Sequence, residues 1–425
     1  MSNYKDHLIG VSSGAASAPP YEQTWNLVAS SSGYIKNSSY QLQSSETYQS
    51  FKRLATKGLY GGIFDPHNSG NTGFVTARAF SVNQSNGAIT VHASTDLWSH
   101  SYGQVFSTCH TGAVGHTYMN MGHHKSPSYG STHKGWIWAC EFNTSGGVEN
   151  YGNSAAPQNM WPHSNGDLCM ATSASKDAYA YGRRSTYNQN DSKYWHQRGY
   201  HVNGSVGYDD YTNPSAGTST NYAYPYAQQT YDDLQPNGYV GWQNNSSQGI
   251  FTPLYGSSAT RASNLQSAQY YGNNSIPSYI TGFHLSNGHY LTINTSNNWW
   301  VRYNSSGQPQ AGTWNGDTAP DGISLLSLAA NIAYHQSICV PTGTADTWLM
   351  PNSIMGGFFK INIDVNNNYK VTIQKHYHTL MAGMGLNVGP SGQTFDVTGS
   401  SNQYFVHAKV SSAYYTINVY DNPFL

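Results

Sequence analysis

The chain reads as an all-β protein built from a repeated strand–turn–strand unit, and three observations lead there. Charged residues make up only 9% of 425 positions, against roughly 25% in ordinary soluble proteins. Aromatic residues reach 14%, with 35 Tyr and 11 Trp. Rings in that number bury enough apolar surface to offset the entropy lost on ordering, which argues against a disordered chain. Solvation falls to Asn, Ser, Thr, Gln and Gly, which compete for the backbone and favour turns over helices.

Five hairpins follow one another along the chain. Residues 74–80 alternate, turn at 83–87 and return through 88–91. Residues 136–142 turn at 145–147, and residues 194–202 turn at Asn203-Gly204. Residues 279–285 turn at Asn287-Gly288 into 289–293, and residues 358–365 turn at 366–368 into 369–373. Asn-Gly between alternating runs is a strong hairpin signal, because both central residues must tolerate positive φ. Anchored on Phe80, Phe142, Tyr200, Phe283 and Ile363, the spacing fits four-stranded propeller blades with generous loops, a blade needing about 40–50 residues. Residues 104–110 and 116–121 add a further strand pair, and residues 24–64 are expected to supply a blade through 25–28 and 59–64. The expectation is a five- or six-bladed β-propeller-like domain. A β-sandwich, jelly roll or barrel gives the same strand statistics.

Residues 1–20 are Ser/Ala/Gly-rich and end in Pro19-Pro20, which reads as an N-terminal docking arm. Residues 21–425 form one large repeat domain. Within it, residues 208–272 are crowded with Tyr, Asn and Gln and are expected to be an elaborated loop layer, where binding residues concentrate.

Net charge is −1, so no electrostatic footprint for nucleic acid exists. The longest apolar stretch, 322–333, is far short of the roughly 20 residues of a spanning helix, so no membrane insertion is expected. The N-terminus lacks the charged-then-apolar order of a secretory signal. Cys109, Cys140, Cys169 and Cys339 are dispersed and read as buried free thiols.

Catalytic machinery is hard to find. Asp209-Asp210 and Asp232-Asp233 are the adjacent acidic pairs, and neighbours on a strand point to opposite faces. His376 and His378 could share a face as metal ligands do, but no third ligand is placed by sequence. His123-His124, His92, His100, His110 and His116 read as half-polar aromatics. There is no nucleophile elbow and no phosphate loop. No catalytic residue, metal or cofactor is therefore expected.

The aromatic surface remains. Exposed Tyr is a rigid amphipathic contact that loses little entropy on ordering. The densest concentration gives the candidate binding residues Tyr208, Tyr211, Tyr222, Tyr224, Tyr226, Tyr231, Tyr239 and Trp242. Such rings stack on sugar faces, and they equally suit a wet protein–protein interface.

Strands such as 77–83 followed by 87–90, in a chain rich in Asn, Ser, Gly and Tyr, resemble bacteriophage virion proteins of the tail-fibre or appendage type. The resemblance is one of style over residues 74–420. It implies a structural and adhesive component of a virus particle, assembled in host cytoplasm. The implied partners are other virion proteins, a host-surface glycan or protein, and further copies in a homo-oligomer. A phage-borne polysaccharide depolymerase and a secreted lectin-like module are the alternatives.

Overall fold

The computed structural model describes residues 25–36, 41–42, 51–54, 56–64, 66–67, 73–100, 105–107, 117–125, 133–155, 168–172, 178–184, 195–202, 204–211, 223–229, 238–244, 248–253, 281–294, 299–303, 309–313, 340–352, 357–377, 393–411 and 413–425. Among them every regular element is a strand, as the turn-forming composition predicts.

Strand β1 (Leu27–Tyr34) comes first. Sheet I then comprises β2 (Gln41–Leu42), β3 (Lys52–Arg53), β4 (Leu59–Phe64), β5 (Pro66–His67), β6 (Gly73–Val82), β7 (Ile89–Val91) and β8 (Thr95–His100). Sheet II holds β9 (Val105–Ser107), β10 (Thr117–Lys125), β11 (His133–Phe142) and β12 (Val148–Ala155). Sheet III holds β13 (Leu168–Thr172), β14 (Ala178–Arg184), β15 (Trp195–Val202) and β16 (Ser205–Tyr211). Sheet IV holds β17 (Ala223–Gln229), β18 (Gly238–Asn244) and β19 (Gln248–Pro253). Sheet V holds β20 (Thr281–His284), β21 (Tyr290–Asn294), β22 (Trp299–Tyr303) and β23 (Pro309–Thr313). Sheet VI holds β24 (Val340–Pro341), β25 (Thr347–Asn352), β26 (Gly357–Asp364) and β27 (Lys370–Tyr377). Sheet VII holds β28 (Gln393–Thr398), β29 (Tyr404–Ser411) and β30 (Tyr414–Asp421), and its fourth strand is β1. Sheets II to VI each run strictly in chain order, all neighbours antiparallel.

All five predicted hairpins are present, as β6–β7, β11–β12, β15–β16, β20–β21 and β26–β27. Residues 105–107 and 117–125 also pair, as β9 and β10. Four expectations need correction. Among the described residues there are seven sheets, where five or six repeats were expected. Phe80, Phe142, Tyr200 and Ile363 lie on third strands (β6, β11, β15, β26), but Phe283 lies on β20, a first strand. An Asn-Gly turn marks a hairpin without saying which hairpin of a sheet it closes, so the fourth copy sits out of phase with the other four. Residues 24–64 form no unit of their own: β1 joins sheet VII and β4 joins sheet I. The stretch 208–272, expected as a loop layer, contains the end of β16 and all of β17, β18 and β19. Residues 1–20 lie outside the described residues.

The core lies in the seams between sheets. Between sheets VII and I, Tyr60, Phe80 and Val82 pack with Val406, Ala408, Ile417 and Val419. Between sheets I and II, Leu59, Ile63 and Ala77 meet Trp138, Cys140 and Phe142. There Gly61 admits the Phe142 ring so closely that an added Cβ would lie 2.8 Å from it. Burial pushes the Cys140 thiol far above its ordinary range, so it stays a protonated, inert packing group, as expected of it. Between sheets VI and VII, Phe358 and Leu349 meet Phe395, Val397 and Phe405.

Candidate functional site

One buried polar cluster stands out among the described residues. Antiparallel pairing sets Arg53 of β3 opposite Tyr60 of β4, on one face of sheet I. Alternation along β28 places Thr394, Asp396 and Thr398 on the face that meets them. The Tyr60 hydroxyl donates to Asp396 Oδ2 at 2.7 Å, and Arg53 Nη1 donates to Asp396 Oδ1 at 3.3 Å. Thr394 Oγ1 donates to the Phe51 carbonyl alongside. Burial first, then the Asp396 carboxylate, holds the Tyr60 phenol well above its usual range, so it remains a donor. The Arg53 and Asp396 side chains are 5% and 3% exposed. A carboxylate closed off in this way and committed to two donors cannot take substrate. The cluster clasps sheet I to sheet VII.

On the opposite face of sheet VII, His407 stacks on Phe395 with ring centroids 4.9 Å apart. Burial, with a contribution from Lys409, holds His407 down at about 4. It is therefore neutral in the folded protein and titrates near 6.5 when unfolded. Stability from this group is complete above about pH 6.5 and is lost as pH falls to about 4, amounting to about 3 kcal/mol. Denaturant titrations of wild type and His407→Phe at pH 7 and pH 4.5 check this. The wild type should lose more stability than the variant, and equal losses would contradict the assignment.

The two ends of the sheets differ. First-to-second and third-to-fourth strand turns fall at one end of an antiparallel sheet; the remaining connections fall at the other. At the first end the described turns 83–88, 143–147, 285–289, 342–346, 365–369 and 399–403 are tight and interlocked, and the connections 108–116 and 230–237, which also belong there, lie outside the described residues. Gln84 Oε1 accepts from Thr398 Oγ1 and the Gly399 amide, and Tyr404 donates to the Ser85 carbonyl. Asp346 accepts from the Ser286 amide and hydroxyl, while Tyr369 meets Asn287 and His289. The long connections 156–167, 212–222, 314–339 and 378–392 attach to strand ends at the opposite end.

Most of the predicted binding residues attach to that second end. Tyr208 and Tyr211 lie in the last half of β16, and Tyr222 falls in the connection 212–222, outside the described residues. Tyr224 and Tyr226 occupy alternate positions in the first half of β17, and Trp242 pairs with Pro225 between them. First strands β13 and β17 of sheets III and IV are neighbours. Tyr239 opens β18 at the tight-turn end, and Tyr231 belongs to the connection entering it, outside the described residues. Along the chain Tyr208, Tyr211, Tyr224, Tyr226 and Trp242 fall in the middle or second-end half of their strands and Tyr239 at the other end. Tyr208 and Tyr211 differ in parity on β16 and Trp242 pairs with Pro225, so the five do not share one face.

The other sequence candidates do not converge. Asp209 and Asp210 sit opposite Arg198 and Gln197, on opposite faces of β16. Asp232, Asp233 and His378 lie outside the described residues. Among the described residues no group of three or more His, Cys, Asp or Glu could hold a metal ion. Nor is any helix there long and apolar enough to cross a membrane. What sequence reading missed is the Arg53–Tyr60–Asp396 clasp, whose members lie too far apart in the chain for any local motif.

No protein-family model matches the chain, and no curated protein matches it. Solved structures do align. Virginiamycin B lyase from Staphylococcus aureus is 10% identical over 93% of this chain and 99% of its own, with a TM-score of 0.44. A streptogramin B lyase is 12% identical over 92% and 98%, with a TM-score of 0.39. The GH93 α-L-arabinofuranosidase of Fusarium graminearum is 8% identical over 94% and 98%, also at 0.39. These neighbours are enzymes and not virion parts. On that finding the expectation of a structural and adhesive virion component is withdrawn. Likenesses of this degree bring no activity to the present chain.

Proposed function

We propose that the chain is a β-propeller of seven blades whose long-connection end takes a neutral, hydroxyl-rich ligand, a glycan above all. The ring reading rests on β1, which completes the last sheet from the opposite terminus of the chain, and on the packing of sheet VII against both sheet VI and sheet I. The ligand reading rests chiefly on one observation: Tyr208, Tyr211, Tyr224, Tyr226 and Trp242 all fall on strands that run to the end bearing the long connections. Ligand sites gather on such connections because a rigid scaffold positions them while their length leaves them free to vary. A chain with 9% charged residues favours ring stacking and neutral hydrogen bonds over charge pairing.

A glycan array followed by calorimetry tests this. Binding should persist from low to moderate salt, since neutral contacts escape the screening that acts over about 10 Å at 0.1 M. Tyr224→Ala and Trp242→Ala should each weaken it about tenfold or more, as loss of a stacked ring does. Assaying the same glycans for new reducing ends separates turnover from binding. Affinity that collapses with salt, or survives both substitutions, would contradict the proposal.

A further inference from the structure

Sheet VII carries a further aromatic pair at the end bearing the long connections. The link from β29 to β30 joins a second strand to a third, and β1 finishes beside it. Tyr34 and Tyr414 therefore stand at that end, directly opposite one another. They are 43% and 40% exposed, with ring centroids 5.1 Å apart and planes at 87°. The pair is fixed from behind. Arg78 Nη1 donates to the Tyr34 and Ile35 carbonyls, the Ile35 side chain is buried, and its amide donates to the Ala413 carbonyl. On the reverse face Gly33 leaves room for Tyr415, from whose hydroxyl an added Cβ would lie 2.8 Å. The Tyr414 hydroxyl donates to Ser32 Oγ at 3.1 Å. Two rings held in this way lose little further entropy when a ligand stacks on them.

Strand register says what shares the face. Ser32 and Tyr34 of β1 lie opposite Thr416 and Tyr414 of β30, which lie in turn opposite Lys409 and Ser411 of β29. All six are exposed or half-exposed. Five of them are neutral and carry a hydroxyl; the sixth is a cation. No acceptor or acid among the described residues meets the Lys409 ammonium, and its charge adds to the burial that holds His407, on the same face, in the neutral form. Lys36, two positions beyond Tyr34, is by contrast committed to Asp96 and to the Phe74 ring. A neutral sugar would leave the Lys409 cation unanswered, and a small anion would leave the two rings bare.

We propose that this face is a subsite for a sugar that carries a carboxylate. The Tyr34 and Tyr414 rings stack on the sugar, Ser32, Thr416 and Ser411 bond its hydroxyls, and Lys409 pairs with the carboxylate. The inference rests on the reading that glycans bind at the long-connection end, and it adds an acidic sugar to the neutral ones taken there.

The test is an array of uronic-acid and sialic-acid oligosaccharides, each beside its carboxyl-reduced form, probed with the full chain. Acidic forms should bind about tenfold more tightly than their reduced forms. Lys409→Met should remove that preference and leave the reduced forms bound as before. Tyr34→Ala and Tyr414→Ala should weaken both forms about tenfold, while Tyr34→Phe, which keeps the ring, should bind like wild type. The proposal is overturned if no acidic form is preferred, or if the preference survives Lys409→Met. It is overturned equally if inorganic phosphate or a glutamate peptide competes as well as the acidic sugar. Should neutral glycans still bind through Tyr224 and Trp242 in those cases, the reading of the long-connection end stands and this inference alone falls. Acidic glycans held through Tyr34 and Lys409 but indifferent to Tyr224→Ala and Trp242→Ala would leave this inference standing and that reading not.

Discussion

Replacing Asp396 with leucine should lower the unfolding free energy by about 3–5 kcal/mol, because it removes the carboxylate facing the Arg53 guanidinium in a site closed to water. It also leaves the Tyr60 hydroxyl without the acceptor it meets at 2.7 Å. The effect belongs to a buried guanidinium that has lost its carboxylate more than to the lost attraction itself, so the double variant Asp396→Leu/Arg53→Met should recover much of it. Urea unfolding of the two variants checks both halves. A single variant within about 0.5 kcal/mol of wild type, the range of an ordinary surface change, would mean that the clasp is not closed to solvent.

Trp25→Ala should cost a comparable amount, about 3–5 kcal/mol, as truncation of a buried large aromatic does. The Trp25 ring lies edge-on to Phe405 at 4.8 Å, Tyr420 at 5.3 Å and Phe424 at 5.7 Å, and stacks on Phe358 at 6.2 Å. It therefore ties the segment just before β1 to residues 420–424 and to sheet VI. Next to it the Asp421 amide donates to the Asn26 carbonyl. Loss of the ring should loosen β1 before the rest of sheet VII, so hydrogen exchange over residues 27–34 should quicken more than over 404–411. Uniform quickening would show that Trp25 serves the whole core and holds no particular strand.

Turn chemistry was the legible part of this fold. Asn83 Oδ1 accepts from the Ser85 and Asn86 amides, and Asn143 Oδ1 from those of Ser145 and Gly147. Such local closures need only the residues between two strands, and all five hairpins were found through them. Long-range pairing left no such mark. Arg53 and Asp396 stand 343 positions apart, and β1 reads like any short strand until β30 is beside it. Sheet IV was misread for a different reason. Its strands carry Pro225, Gly238 and Gly241 among Tyr and Gln, a composition that signals loop until neighbouring strands satisfy the backbone. The candidate binding residues were therefore legible as types, while their placement on strands β16, β17 and β18 was not.

Hydrogen exchange with and without a captured glycan tests the central claim most directly. Exchange should slow near residues 208–226 and 240–244, on the strands that run to the end bearing the long connections. Protection confined to the tight turns at 83–88, 285–289, 342–346 and 399–403 would put the ligand at the opposite end and contradict it.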